Sequence, residues 1–240
     1  MDVTTPGRPA PGPRAAGTRV GYSAVPDRVR VWVEQTLGSP VVATAEQVGG
    51  MSPGCATRLR CADGTRAFVK AVGPELNALT PALFRHEAVV LEHIGPDALW
   101  AGLLASYDEP DGWVALLLED VEGRHPDLRD PTEARITLEA TDRLVDRLAG
   151  KGAELKIATL ELSLTRYARM WPHLDGLPET LLPGWARQAA PRMQAALEEL
   201  RGRAPGSHLL NFDLRNDNML LRPDGSLVFV DWGMSRVGAK

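Results

Sequence analysis

The stretch that decides the fold lies near the end of the chain. It reads NFDLRNDN at residues 211–218 and MLLRPDGSLVFVDWG at residues 219–233. The second part contains two short apolar runs, residues 219–221 and 227–230, around a turn with Pro and Asp-Gly. Those turn residues are typical of a tight chain reversal. The stretch therefore predicts a β-hairpin made of two short strands.

Three polar side chains flank this predicted hairpin: Asp213, Asn218 and Asp231. Because a hairpin returns the chain close to its start, we expect the three side chains to meet at one edge. Two carboxylates and an amide oxygen suit a hard divalent cation such as Mg²⁺ and also provide a proton acceptor. This combination indicates phosphoryl transfer, in which the protein positions the reactants and neutralises phosphate charge. The alternative is a polar loop that only caps the hairpin.

Length and composition limit the class of protein. The chain has 240 residues, 44% of them hydrophobic, which suffices for one large or two modest domains. A net charge of -4 without a long basic run does not favour nucleic acid as a partner. No apolar stretch approaches the roughly 18 residues that span a bilayer, so we predict no membrane partner. These features indicate a soluble cytoplasmic protein and leave its oligomeric state open.

The two cysteines, Cys55 and Cys61, are consistent with that location. They fall on segments that we predict to be adjacent strands, and we interpret them as free thiols. A disulfide between them is the alternative, which a reducing compartment disfavours. The cysteines and the five scattered histidines show no spacing typical of a zinc site.

The first half of the chain is predicted to form a small antiparallel sheet with one helix packed on it. Turns rich in glycine separate short apolar and β-branched runs, and residues 80–94 have the apolar spacing of a helix. Another helix is predicted at residues 26–38, with Pro at its start and Gly past its end. The predicted strands are residues 41–48, 56–61, 66–72, 103–107 and 113–118.

The second half of the chain is predicted to be mostly helical. Apolar residues recur there at helical spacing, and we expect Trp185 and Met193 to be core contacts of the last helix. A polar segment with a glycine, residues 119–123, separates the two halves. The predicted helices are residues 131–149, 159–171 and 183–200.

These patterns divide the chain into three parts. Residues 1–20 are rich in Pro, Gly, Ala and Arg and lack the apolar segment of a signal peptide, so we predict a disordered tail. Residues 21–119 form the predicted sheet lobe, and residues 120–240 form the predicted helical lobe. The fold class is therefore α+β.

The motif formed by Asp213, Asn218 and Asp231 resembles that of the aminoglycoside phosphotransferase and choline kinase-like enzymes. The resemblance covers residues 41–240 and implies a two-lobe protein kinase-like fold, with a nucleotide-binding sheet lobe followed by a helical catalytic lobe. Asn211 stands where this family usually has the His of a His-Gly-Asp sequence. That His mostly supports the shape of the loop, so the reactive groups themselves are retained.

The resemblance also implies ATP and Mg²⁺ as cofactors and gives each residue a role. Asp213 would accept the proton of an incoming hydroxyl, and Asn218 and Asp231 would be ligands of Mg²⁺. Lys70 ends an apolar strand, where an unpaired ammonium is costly, and Glu87 on the following helix is its natural partner. In the resembled fold this pair holds the phosphates of the nucleotide. Glu92, further along the helix, is the alternative partner.

Two further segments are predicted to contact the nucleotide. The loop at residues 49–54 contains Gly50 and Ser52, whose backbone and hydroxyl groups can donate to phosphate oxygens. It does not have the G-x-G-x-x-G pattern, so an ordinary hairpin turn is the alternative. Glu119 and Val121 lie in the predicted hinge, where backbone groups can pair with an adenine edge; a plain linker is the alternative.

The sequence thus predicts an ATP-dependent kinase that phosphorylates a hydroxyl of a small polar molecule, such as an aminoglycoside or another metabolite. The alternative is a nucleotide-binding pseudoenzyme or regulatory module, which Asn211 and the early chain end both suggest. The chain ends at Lys240, whereas relatives of the resembled kind continue with helices that wall the acceptor site. We therefore expect either a truncated chain or a differently built acceptor pocket, and the acceptor cannot be identified.

Overall fold

The computed structural model describes residues 19–47, 52–174 and 176–240. Residues 1–18, which make up most of the predicted tail, lie outside the described part. Within these ranges the helices are α1 (Asp27–Leu37), α2 (Thr80–Ile94), α3 (Pro131–Arg147), α4 (Leu160–Met170) and α5 (Gly184–Arg203). The strands are β1 (Val41–Glu46), β2 (Cys55–Cys61), β3 (Arg66–Val72), β4 (Leu103–Asp108), β5 (Val114–Leu118), β6 (His208–Leu210), β7 (Met219–Leu221), β8 (Leu227–Phe229) and β9 (Arg236–Gly238).

The first half of the chain forms the predicted antiparallel sheet. Its five strands lie in the order β1-β2-β3-β5-β4, so that β3 is central. All residues of β5 are buried, as expected for a strand covered on both faces. Lys70 on β3 pairs with Ala56 on one side and with Leu116 on the other. The backbone of Lys70 is therefore held by two neighbouring strands.

Each face of this sheet is covered by a different helix. The α1 helix packs Val29 and Val33 against one face, together with Val25 from the segment that precedes it. The α2 helix packs Phe84 and Leu91 against the other face, in a core that continues into the second half of the chain. Because α2 lies between the sheet and the helices, its side chains can reach groups from both.

The caps of α2 and α3 explain where these helices begin. Asn77 Oδ1 accepts a hydrogen bond of 2.9 Å from the backbone N–H of Thr80, and Pro81 lies in the first turn of α2. Asp130 Oδ1 accepts 2.7 Å from the N–H of Thr132 at the start of α3. Such caps satisfy backbone donors that have no partner within the helix. The bounds predicted for α2 agree with the structure.

The last helix, α5, differs from the prediction. Trp185 is 71% exposed and Met193 is 52% exposed, and α5 contains no buried residue. The expectation that these two side chains are core contacts was therefore wrong. Helical spacing identifies an apolar face but does not show whether another element covers it.

Two small ribbons complete the fold. The predicted hairpin is formed by β7 and β8, with Met219 opposite Phe229. A second ribbon pairs β6 with β9 and places Leu210 opposite Arg236. It was not predicted, because strands of three residues are too short to show a period. Together the ribbons bring residues 208–240 into one compact unit beside α2.

Cys55 and Cys61 lie at the two ends of the same strand, β2, and not on adjacent strands as predicted. The strand begins one residue earlier than expected, which places Cys55 within it. Both cysteines are buried free thiols. Among the described residues, no helix is long and apolar enough to cross a membrane.

Candidate active site

A buried ammonium lies at the centre of the candidate site. Lys70 Nζ is 2.5 Å from Glu87 Oε2 and 3.2 Å from Asp231 Oδ1. The Lys70 side chain is 12% exposed, and that of Glu87 is 1% exposed. The ammonium also lies 5.0 Å from the centroid of the Phe84 ring, within the range of a cation–π contact. Strand β3, helix α2 and the segment after β8 thus meet at one charged group.

The electrostatics of this cluster follow from burial and from the ion pairs. Burial by itself lowers the pKa of Lys70, but Asp231 and Glu87 together raise it above its ordinary value. The Lys70 ammonium holds the pKa of Asp231 below its usual range. Burial raises the pKa of Glu87, and Lys70 opposes that rise. The cluster has two acidic groups around one cation, so the binding of a further cation would be favoured by charge.

Glu92, the alternative partner of Lys70, does not take part. It is exposed on α2, and Glu92 Oε1 lies 3.4 Å from Ser106 Oγ. Glu87 precedes it by five residues and therefore faces a different side of the helix. Glu87 lies on the face of α2 that is turned toward the central strand, and it is therefore the partner of Lys70.

The backbone at Asp231 is held in an uncommon conformation. Asp231 has φ of 63°, in the left-handed region that few residues other than Gly adopt. The next N–H, of Trp232, donates a hydrogen bond of 3.3 Å to Glu87 Oε1. The Trp232 ring is buried, with its centroid 5.7 Å from that of Trp100. These contacts hold the Asp231 carboxylate toward Lys70.

Asp213 and Asn218 form the second half of the candidate site. Asn218 Nδ2 donates to the backbone O of Asp213 at 2.9 Å and to Asp213 Oδ2 at 3.1 Å. The backbone O of Asn218 accepts 3.0 Å from the N–H of Val230, directly before Asp231. The predicted convergence is therefore present between Asp213 and Asn218, and Asp231 adjoins Asn218 through the backbone.

Asn211 connects the two halves, a role that the sequence did not indicate. Its side chain is 7% exposed. Its Oδ1 accepts 3.1 Å from the N–H of Asp213, and its Nδ2 donates 3.4 Å to the backbone O of Asp231. The residue that departs from the family motif thus bridges the Asp213 loop and Asp231.

Arg215 is a second residue that sequence reasoning missed. Its Nε lies 2.9 Å from Asp213 Oδ1, and its Nη2 lies 3.5 Å from Asp217 Oδ2. The sequence contained one indication of this ion pair: Arg215 follows Asp213 by two residues, in a loop that carries two carboxylates. The arrangement places a guanidinium beside the carboxylate that is predicted to accept a proton.

The oxygen donors at this edge fit Mg²⁺. The amide nitrogen of Asn218 binds Asp213, so Asn218 Oδ1 is the atom that can be a metal ligand. Of the Asp231 carboxylate, Oδ1 contacts Lys70. No group of three or more His, Cys, Asp or Glu side chains that could hold a metal exists among the described residues. One carboxylate and one amide suit an ion that keeps waters and binds substrate phosphates, as Mg²⁺ does.

The predicted glycine loop is only partly described. Gly50 lies outside the described residues, whereas Ser52 and Gly54 lie inside them. Gly54 has φ of 106°, and a Cβ there would lie 2.5 Å from the backbone O of Ala71. The need for glycine at this position is therefore explained by close packing of β2 on β3.

The predicted hinge is well anchored. The N–H of Glu119 donates 2.8 Å to the backbone O of Gly102, and Glu119 Oε1 pairs with Arg222 Nη2 at 2.5 Å. Val121 is buried with Ala101 and Val228. The segment thus contacts both the sheet and the β7–β8 hairpin.

A cleft of about 500 Å³ lies between residues 122–124 and the β7–β8 turn. None of the predicted site residues lines it. It is therefore separate from the cluster around Lys70 and Asp213.

Solved structures show what this fold is similar to. Choline kinase LicA from Streptococcus pneumoniae has a TM-score of 0.57 at 15% identity, covering 88% of this chain and 69% of its own. A thermostable mutant of aminoglycoside phosphotransferase APH(4)-Ia, in ternary complex with AMP-PNP and hygromycin B, has a TM-score of 0.59 at 14% identity. That match covers 89% of this chain and 73% of the other. The predicted α+β, two-lobe protein kinase-like fold is confirmed.

The aminoglycoside phosphotransferase from Alicyclobacillus acidocaldarius is also similar, with a TM-score of 0.47 and 14% identity. The match covers 82% of this chain but 64% of that protein, so the chain spans less than two thirds of its length. No curated protein sequence matches this chain. A family model described as the phosphotransferase enzyme family matches residues 60–239, which is more than half of the chain. The chain therefore belongs to the phosphotransferase enzyme family.

Proposed function

We propose that this protein transfers the γ-phosphoryl group of ATP to a hydroxyl of a small polar molecule. The observation that carries the proposal is the Lys70 ammonium held between Glu87 and Asp231, beside the loop of Asp213 and Asn218. A buried cation with partners on two elements is a preorganised anchor for phosphate oxygens. Membership of the phosphotransferase family supports the same reaction class.

In the proposed step, the hydroxyl oxygen of the acceptor attacks the γ-phosphorus in line with the leaving oxygen. The new P–O bond forms as the bond to the β-phosphate oxygen breaks, and ADP leaves with that electron pair. Asp213 accepts the hydroxyl proton, and the Asn218 amide orients its carboxylate. Arg215 and Lys70 balance the charge on the phosphate oxygens.

Asn218 Oδ1 and the Asp231 carboxylate are the groups that would hold Mg²⁺. When bound, this ion would supply positive charge that offsets the charge of the nucleotide phosphates. The hinge at Glu119 and Val121 would pair its backbone with the adenine, and Gly50 and Ser52 would cover the phosphates. These assignments complete the nucleotide side of the proposed site.

The test is the formation of ADP and phosphorylated product from Mg-ATP and a panel of hydroxyl-bearing acceptors. We expect Asp213→Asn to lower turnover by about 100-fold or more, the usual range for loss of a general base. Asp224→Asn, in the exposed hairpin turn, makes the same chemical change away from the site and should retain activity. Equal turnover of the wild type and Asp213→Asn would contradict the role of Asp213.

One observation favours a nucleotide-binding module without transfer activity. Both carboxylate oxygens of Asp213 have partners, Oδ1 with Arg215 and Oδ2 with Asn218. If Arg215 does not move, the acceptor hydroxyl has to share an oxygen of Asp213 with Arg215 or with Asn218. Mg-ATP at a hundred times its Kd should add about 2.7 kcal/mol of stability in either case. Stabilisation without transfer to any acceptor would favour the binding module.

A further inference from the structure

Arg236 is a partly buried cation without a carboxylate partner. It lies on β9, and its guanidinium is 5.9 Å from the centroid of the Phe212 ring. Its hydrogen bonds go to neutral oxygens, with Nε donating 2.6 Å to Ser163 Oγ and Nη1 donating 2.7 Å to the backbone O of Ser235. In the described part of the chain it forms no ion pair. Its positive charge is therefore not neutralised locally.

The surroundings of Arg236 add positive charge. Burial lowers the pKa of Arg236, Tyr167 opposes that effect, and Arg166 lowers the pKa further. Arg166 is exposed on α4 and likewise has no ion pair within the described ranges. On the α2 side, His86 Nε2 lies 3.1 Å from the backbone O of Ser235; burial lowers the pKa of His86, and Arg236 lowers it further. Ser163, which Arg236 contacts, lies three residues before Arg166 on α4, so the two guanidiniums belong to neighbouring positions, and neither has an ion-pair partner among the described residues.

This basic pair, Arg236 and Arg166, adjoins the segment that leads to the proposed proton acceptor. Arg236 is opposite Leu210 in the β6–β9 ribbon, and Asp213 follows Leu210 by three residues, a span of at most about 10 Å. The Phe212 ring, directly before Asp213, stacks on Tyr167 of α4 with centroids 6.4 Å apart. The Phe212 side chain thus links the basic pair to the residue directly before Asp213.

The proposed nucleotide anchor and the basic pair are carried by different elements. Lys70 and Glu87 reach the site from the sheet, where we place the nucleotide. Helix α4 and strand β9, which carry Arg166 and Arg236, contact each other, and Phe212, directly before Asp213, contacts Tyr167 of α4 and Arg236 of β9. An acceptor whose hydroxyl lies at Asp213 therefore has Arg236 and Arg166 on elements that adjoin the Asp213 loop.

We propose that the acceptor carries an anionic group, a carboxylate or a phosphate, which Arg236 and Arg166 bind while the hydroxyl lies at Asp213. This inference rests on the proposed function and deepens it. A guanidinium binds carboxylate and phosphate through two parallel hydrogen bonds, and a partly desolvated site strengthens them. Choline and aminoglycosides carry cationic nitrogen, which the basic pair would repel. The acceptor is accordingly a hydroxy acid or a phosphorylated alcohol.

The test is calorimetric titration of the full chain, saturated with Mg²⁺ and AMP-PNP so that the nucleotide site is filled. Malonate and inorganic phosphate are the anionic probes, and choline and kanamycin are the cationic probes at equal ionic strength. We expect the wild type to bind at least one anion and neither cation. The preferred anion distinguishes a carboxylate from a phosphate acceptor.

Variants locate the binding site. Arg236→Gln should weaken anion binding by about tenfold or more, as expected for a lost charge-assisted hydrogen bond. Arg236→Lys keeps the charge but not the fork and should bind more tightly than Arg236→Gln. Arg166→Gln, at an exposed position, should fold normally and also bind less tightly. Arg169→Gln, one turn further along α4, is the matched control and should bind within about twofold of the wild type.

Two outcomes would overturn the inference: anion binding unchanged in both Arg236→Lys and Arg166→Gln, or a wild type that prefers choline or kanamycin. Failure of the proposed function looks different. A wild type that does not bind AMP-PNP contradicts the proposed function itself. A wild type that binds AMP-PNP but neither anion contradicts only the inference about the acceptor.

Discussion

Glu87→Gln tests whether the buried ion pair organises this site. The substitution keeps the size of the side chain and an oxygen that can accept from the N–H of Trp232. It removes the negative charge that lies 2.5 Å from Lys70 Nζ and turns an amide N–H donor toward the ammonium. Lys70 then has Asp231 as its remaining ion-pair partner in the cluster, at 3.2 Å.

The expected loss of stability is about 3 kcal/mol. Removing one partner of a buried pair costs about 3–5 kcal/mol because the other charge is left buried. We expect the lower end, since the Asp231 side chain is 38% exposed and still compensates Lys70. For a chain of this length, about 3 kcal/mol corresponds to a decrease in Tm of roughly 6–12 °C.

The assay is urea unfolding followed by circular dichroism, with Glu92→Gln as the matched control. Glu92 lies on the same helix but is exposed, so its substitution should change the free energy of unfolding by about 0.5 kcal/mol or less. Lys70→Met combined with Glu87→Gln should cost less than the sum of the two single substitutions, by about 1 kcal/mol or more. A loss below about 1 kcal/mol for Glu87→Gln, or strict additivity of the pair, would refute the reasoning.

Three other predictions concern pH, thiol chemistry and the bridge between the two halves of the site. Because Lys70 lowers the pKa of Asp231, the stability from their contact is present above about pH 4, near the unfolded value. This stability is lost as the pH falls through the lower pKa of the folded state. The free energy of unfolding of Asp231→Asn should therefore fall less steeply than that of the wild type between about pH 5 and about pH 2, the range in which a paired carboxylate is protonated. Burial raises the pKa of Cys55 to about 11, so its thiol should not react with an aromatic disulfide reagent at about pH 8 until the protein is unfolded; rapid reaction of Cys55 in the native protein would contradict the burial. Asn211→Ala removes both side-chain hydrogen bonds of the bridge and should cost about 1–3 kcal/mol in urea unfolding, whereas an unchanged midpoint would show that the bridge does not support the loop.

Much of the fold could be predicted because its elements have strong local patterns. The bounds of α2 follow from Pro81 in the first turn and Gly95 at the end, and the β7–β8 hairpin follows from its turn residues. The exposure of α5 could not be predicted, because burial depends on which elements cover a helix face. The β6–β9 ribbon was missed for a similar reason, since its pairing partners are distant in sequence and its strands are short.

The candidate site could be predicted where a buried charged group requires a partner of opposite charge. Lys70 at the centre of an apolar sheet requires an acidic partner, and helical geometry places Glu87 in reach. The contact of Lys70 with Asp231 and the ion pair of Arg215 with Asp213 depend on how separate segments pack. Side-chain direction within an irregular loop has no period, so sequence spacing alone does not show which groups Arg215 and Asn211 contact.

Asn211 shows how a departure from the resembled motif can keep the hydrogen bonds of the loop. The position requires one acceptor, for the N–H of Asp213, and one donor, for the backbone O of Asp231. A neutral His supplies one of each from its ring nitrogens, and an Asn supplies the same pair from its amide. The amide does not titrate near neutral pH, whereas a His at this position would lose its acceptor when protonated. The Asn211 amide therefore forms this bridge without a titratable ring.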